Sequence, residues 1–125
     1  MLHHVSLAVA NLEASGALYD AALAPLGYGR VWTVEDAIGY GRPGGGDKFA
    51  LKFRGPHVAK PSPGFHLAFA AVTTTSIDSF YQAALAHGGI DNGPPGPRPR
   101  YGPHYYAAFI IDLDGYPIEA VKNDG

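Results

Sequence analysis

Hydrophobic and polar residues alternate over residues 2 to 10. Val5, Leu7 and Val9 fall on one side of the chain, and His4, Ser6 and Ala8 on the other. That two-residue period predicts a strand with one buried face. From residue 12 the period lengthens. Leu18, Tyr19, Ala22, Leu23 and Leu26 follow helical spacing, Asn11 is a good N-cap, and Glu13 suits the positive end of the helix dipole. Gly27 is a natural stop. Three short strands are predicted next, over 30–35, 37–40 and 48–53, with Gly39 and Gly41 weakening the middle one. The plan then repeats. Residues 65–72 predict a strand with Leu67 and Phe69 opposed to His66, Ala68 and Ala70, and Thr75-Ser76-Ile77-Asp78 resembles a capping box with Asp in place of Glu. Ile77, Phe80, Tyr81, Ala84 and Leu85 form one helical stripe, closed by Gly88 and Gly89. A weak strand is expected near Ile90. Five prolines make 92–103 irregular, and strands over 105–111 and 117–121 join through a turn containing Asp114 and Gly115.

The chain repeats itself in residue identity as well as in plan. Shifted by 62 positions, residues 4–27 lie over residues 66–89 without a gap. His4 meets His66, Ala8 meets Ala70, Tyr19 meets Tyr81, the Ala-Ala-Leu-Ala run at 21–24 meets the same run at 83–86, and Gly27 meets Gly89. Two copies are too few for a solenoid, so one domain built from two related halves is expected, about 1–57 and 63–123. Each half has one helix, which covers one face of its strands and leaves the other open and concave. His4 with Ser6 and Ala8, and His66 with Ala68 and Ala70, fall on that open face. A polar group among small neighbours is the pattern of a ligand site.

Composition narrows the class. With 125 residues, 46% hydrophobic and 16% charged, the chain is expected to fold as a compact soluble domain. A net charge of −2 gives no reason to bind nucleic acid or an anionic membrane. No run approaches the roughly 18 apolar residues of a membrane helix, and no basic-then-apolar signal pattern opens the chain, so cytoplasmic residence is expected. The absence of cysteine excludes disulfides and thiolate metal ligands. Gly41-Arg42-Pro43-Gly44-Gly45-Gly46 lacks the lysine-serine pair and strand-to-helix setting of a phosphate loop, and reads as a flexible connection. No G-x-S-x-G nucleophile motif is present.

The repeat, the opening LHHVSLAVANLEAS at 2–15 and above all YYAAFIIDLDGYPIEAV at 105–121 resemble the vicinal-oxygen-chelate superfamily. That group holds lactoylglutathione lyases, fosfomycin-resistance transferases, extradiol dioxygenases and bleomycin-resistance proteins. The resemblance implies an α+β fold of two tandem βαβββ modules whose sheets curl around a concave site. It also implies metal ligands at His4, His66 and Glu119. Lactoylglutathione lyases usually carry a fourth ligand, a glutamate, on the last strand of the first half. Residues 48–53 offer no carboxylate there, a departure that fits the transferase and dioxygenase branches better. Two histidines and a carboxylate suit Fe, and imidazole also suits Zn, Ni or Mn. One divalent ion per site is therefore implied, with a metal-free site as the alternative. A homodimer is expected as well, with the site built either within one chain or across two.

Candidate roles follow. Glu119, Tyr105 and Tyr106 are candidate catalytic residues, the tyrosines as proton or hydrogen-bond donors, with aromatic core packing as the alternative. Arg98, Arg100, Tyr101 and His104 lie in the proline-rich loop, where they would close over an anionic substrate or else remain solvated. Lys52 is placed to meet an acidic substrate, and Trp32, Tyr40 and His57 to line the cavity. Two functions remain open. One is a metal-dependent lyase, transferase or dioxygenase that chelates a small oxygenated molecule through two oxygens. The other is a metal-free small-molecule binding protein of the bleomycin-resistance type.

Overall fold

A computed structural model describes residues 1–124. The first half runs β1 (Val5–Val9), α1 (Leu12–Leu23) with a 3-10 turn over Ala24–Leu26, β2 (Gly29–Val34), β3 (Ala37–Gly41) and β4 (Phe49–Phe53). The second runs β5 (Leu67–Ala70), α2 (Thr74–Ala86), β6 (Ile90–Asp91), β7 (Gly96–Pro97), β8 (Tyr105–Ile111) and β9 (Pro117–Asn123). The Asn11 side chain accepts the Ala14 amide at 3.0 Å, as an N-cap should. Gly27 closes the 3-10 turn at φ 89°, a left-handed backbone that a side chain would disfavour.

Two expectations need correction. Helix α2 starts earlier than the capping-box reading placed it: Thr73 is the cap, its hydroxyl accepting the Ser76 amide at 3.1 Å, and Ser76 Oγ donates back to Thr73 O at 2.7 Å. The run Thr73-Thr74-Thr75-Ser76 offers several caps, and docking of Ile77 and Phe80 into the core selects among them. The proline-rich stretch is also not wholly irregular. Gly96 and Pro97 pair with Ala107 and Tyr106 at the sheet edge, where a residue without an N–H is tolerated.

The first sheet has the order β1-β4-β3-β2, and the second β5-β9-β8-β6 with β7 also on β8. In each half the first strand lies parallel to the last, and the remaining pairs are antiparallel. The sheets stay separate and do not close on one another. Parity of the strands puts Leu7, Val9, Ile38, Leu51, Ile110 and Ile118 on the helix side, where they join Leu18, Leu23, Ile77 and Phe80 in one core spanning both halves. Each such burial stabilises by about 2 kcal/mol. Side chains, not a shared ladder, tie the halves together. Tyr19 donates to Asp112 at 2.6 Å, Ser15 donates to Asp114, and Tyr116 donates to Ala8 O at 2.9 Å.

Candidate functional site

The parallel pairing of β5 with β9 sets Ala68 opposite Glu119, and the antiparallel pairing of β9 with β8 sets Glu119 opposite Phe109. Ala68, Ala70, Glu119, Val121, Tyr105, Ala107 and Phe109 therefore share the face away from the helices. His66 immediately precedes β5 and reaches the same carboxylate. Glu119 is only 3% exposed, with Oε1 2.5 Å from His66 Nε2, whose side chain is 41% exposed. An ionised carboxylate accepts, so the imidazole N–H donates. The Tyr105 hydroxyl donates to Oε2, also at 2.5 Å. Burial, then the bond to Glu119, pushes that hydroxyl up to about 12, so Tyr105 holds its proton at neutral pH.

This cluster borders a hollow of about 410 Å³, lined by His66, Asn92, Tyr101, Tyr105, Phe109 and Glu119. It adjoins a second of about 310 Å³ lined by Asn92, Gly93, Arg98, Arg100, Tyr101 and Phe109. Within it the loop cations differ. Arg98 lies over the Phe109 ring at 5.3 Å and donates to the carbonyls of Pro94, Gly96 and Pro97, holding the loop together. Arg100 is exposed at the rim, over Tyr101 at 4.9 Å and bonded to its hydroxyl. His104 is exposed on the turn before β8. Asn92 and Phe109 were not singled out from sequence. Phe109 stands directly opposite Glu119 on the adjacent strand β8, a signal that needs the pairing to be read.

Other expected residues lie elsewhere. Tyr106 has the opposite parity to Tyr105, faces α2 and donates to Asp78 at 2.7 Å. That bond, then burial, raises its hydroxyl pKa. Lys52 and Trp32 occupy the open face of the first sheet. Lys52 is half-buried, and Trp32 lies so close over Gly39 that a Cβ there would stand 2.2 Å from the indole. Tyr40 is a core residue whose hydroxyl donates to Asp20 at 2.9 Å, and His57 is exposed in the connection between the halves. His4 does not meet His66 and Glu119. It is exposed ahead of β1, its Nδ1 2.8 Å from His3 Nδ1, at a cavity between the halves. Among the described residues, no three His, Cys, Asp or Glu side chains are grouped to hold a metal.

The family model for the Glyoxalase/Bleomycin resistance protein/Dioxygenase superfamily matches residues 1–120. This chain belongs to that superfamily. A glyoxalase/bleomycin resistance protein from Albidiferax ferrireducens T118 is 33% identical, with TM-score 0.82 over 98% of each chain. A glyoxalase-related enzyme from Fulvimarina pelagi shares the fold at 20% identity and TM-score 0.75, over 98% of this chain and 88% of that one. So does FosX, the genomically encoded fosfomycin resistance protein of Listeria monocytogenes, at 16% identity and TM-score 0.70, over 98% and 93%. No curated protein matches the chain. Within the superfamily fold, the Asp112-Leu113-Asp114-Gly115 turn, the most specific part of the sequence resemblance, joins the two halves and lies outside the Glu119 hollow.

Proposed function

We propose that this superfamily member is a divalent-metal-dependent lyase, transferase or dioxygenase acting on a small oxygenated molecule, with its site centred on Glu119 and His66. The observation that carries the reading is a carboxylate sunk to 3% exposure at the floor of an open hollow, beside an imidazole that remains 41% exposed. A carboxylate so withdrawn from water is stable only beside a cation or strong donors. An imidazole nitrogen just ahead of β5 and a carboxylate oxygen on the neighbouring β9 form a donor pair suited to Fe, Mn, Zn or Ni. One chain supplies two of the three expected ligands. The repeat makes His4 the counterpart of His66, so His4 of a second copy is the proposed third, in a homodimer whose open faces meet. The same meeting would bring Lys52 and Trp32 toward the substrate.

A bound divalent ion would act as a Lewis acid on the oxygens of a chelated substrate. Tyr105 keeps its proton and donates a hydrogen bond beside Glu119, while Asn92, Tyr101 and Phe109 line the hollow that receives the substrate. Arg100 and Tyr101 at the rim contact an anionic or aromatic part of it. Tyr106 is held to α2 by Asp78, so the proton-donor role rests on Tyr105.

Metal content decides the matter. Purified protein dialysed against Fe(II), Mn(II), Ni(II) or Zn(II) is expected to retain near one equivalent per chain by plasma mass spectrometry. Glu119→Ala and His66→Ala, with unchanged far-UV circular dichroism, should each lose it. No retained metal under any condition would favour the second reading, a metal-free small-molecule binding protein. That reading draws support from the same cluster, in which His66 and Tyr105 already satisfy both Glu119 oxygens.

A further inference from the structure

At the seam between the halves lies a cavity of about 500 Å³, lined in part by His4, Ala68 and Ala70, which shares no lining residue with the Glu119 hollow of the same chain. Its floor is Leu23, Tyr28, Phe49, Leu67 and Phe69. The aromatic members support each other: Phe49 meets Phe69 edge-on at 5.1 Å, Tyr28 lies 6.3 Å from Phe69, and the Tyr28 hydroxyl donates across the seam to Ala70 O at 3.3 Å. Walls of this kind hold water poorly and favour an apolar body.

The mouth has the opposite character. It is edged by the glycine-rich loop between β3 and β4, which contributes Arg42, and by Lys48 just after it, both exposed. Gly45 and Gly46 carry no side chain to obstruct entry. No Asp or Glu lines the cavity, although acidic residues outnumber Lys and Arg in the chain by 11 to 9. The ion pairs among the described residues are Arg30–Asp20, His66–Glu119 and Lys122–Asp124, so neither Arg42 nor Lys48 is neutralised by a carboxylate. Arg42 instead rests over the Tyr28 ring, 5.1 Å from its centroid, at the boundary between cationic mouth and aromatic floor. Two unpaired cations over an apolar pocket of ligand size match one kind of molecule.

We propose that the seam cavity binds an amphipathic organic anion, a carboxylate, phosphate or sulfonate carried on an aromatic or short hydrocarbon body. The apolar part lies on Phe49 and Phe69, and the anionic group meets Arg42 and Lys48. Within one chain this site shares no lining residue with the Glu119 hollow, and it does not depend on a metal there.

Titration calorimetry with decanoate, and with decanol as its neutral counterpart, tests this. Decanoate is expected to bind at one site per chain and decanol about tenfold more weakly, the difference being the charge. The double variant Arg42→Gln/Lys48→Gln should weaken decanoate about tenfold and leave decanol unchanged. Gly46→Phe should block both, since no atom lies within 4 Å of a Cβ built there and the ring has room to settle in the mouth. Glu119→Ala should bind decanoate as the native chain does. Equal affinity for the two probes, indifference to the double variant, or loss on Glu119→Ala would each overturn the assignment. So would a native dimer that binds neither probe, which would make the seam an interface between copies.

Discussion

Asp112 shows how much one buried side chain decides here. It is 4% exposed and accepts three hydrogen bonds, from the Tyr19 hydroxyl in the first half and from the Tyr116 and Asp114 amides beside it. Asp112→Ala strands the Tyr19 hydroxyl and the Tyr116 amide in the interior, and a loss of about 3 kcal/mol in urea denaturation is expected. Asp112→Asn keeps an acceptor for the amides and offers its own N–H to Tyr19, so about 1 kcal/mol is expected. The pH dependence has a definite sign. Burial raises the Asp112 carboxyl pKa, aided by the Asp114 charge and opposed by the bonds from Tyr19, Tyr116 and Asp114. With the folded value above the unfolded one of about 3.9, the folded chain takes up the proton first as pH falls. This group's contribution to stability therefore rises on acidification and levels off below the unfolded value. The native chain should gain on Asp112→Asn between pH 7 and pH 4, by comparison of their urea midpoints. A constant or widening deficit would refute the assignment.

Among the elements, β3 depends on a glycine for a reason the sequence alone did not supply. Gly39 weakens the strand by propensity, yet the strand forms, because the missing side chain lets the Trp32 indole lie flat across it from β2. Gly39→Ala would place its Cβ 2.2 Å from the ring and push the indole off the sheet. The expected cost is about 1–3 kcal/mol. A red shift in fluorescence should accompany it, read cleanly because Trp32 is the chain's one tryptophan. Gly29→Ala is the control, since nothing lies within 4 Å of its added Cβ; its spectrum should not move. The same logic governs β8, where parity alone separates Tyr105, on the Glu119 side, from Tyr106, bonded to α2.

For the whole molecule, the arrangement of the halves matters more than either half. Packing α1 against α2 in a shared core leaves each sheet with an open face, and places His4 away from His66 and Glu119. If the site is completed between copies, light scattering at micromolar concentration should give twice the 13.2 kDa mass of one chain. His4→Ala should then lower metal content without dissociating the dimer. A clean monomer that still retains one metal per chain would place the third ligand elsewhere.

The sequence by itself determined most of the elements and the repeat, short of β7 and the start of α2, because these rest on local rules. Parity fixes the side of a strand on which Glu119, Tyr105 or Ala68 stands, and i, i+4 spacing fixes the buried stripe of α1 and α2. It also marked His66 and Glu119 as candidates. The tertiary structure alone decided which candidates meet. His66 and Glu119, 53 residues apart, come to 2.5 Å because β9 returns parallel to β5, while His4, the repeat partner of His66, comes to lie beside the seam cavity. Pairing between distant strands is chosen by how side chains from both halves fill one core and satisfy one another's buried polar groups. Tyr19 reaching Asp112, Tyr28 reaching Ala70 and Arg98 spent on its own loop are outcomes of that packing, and no local pattern encodes them.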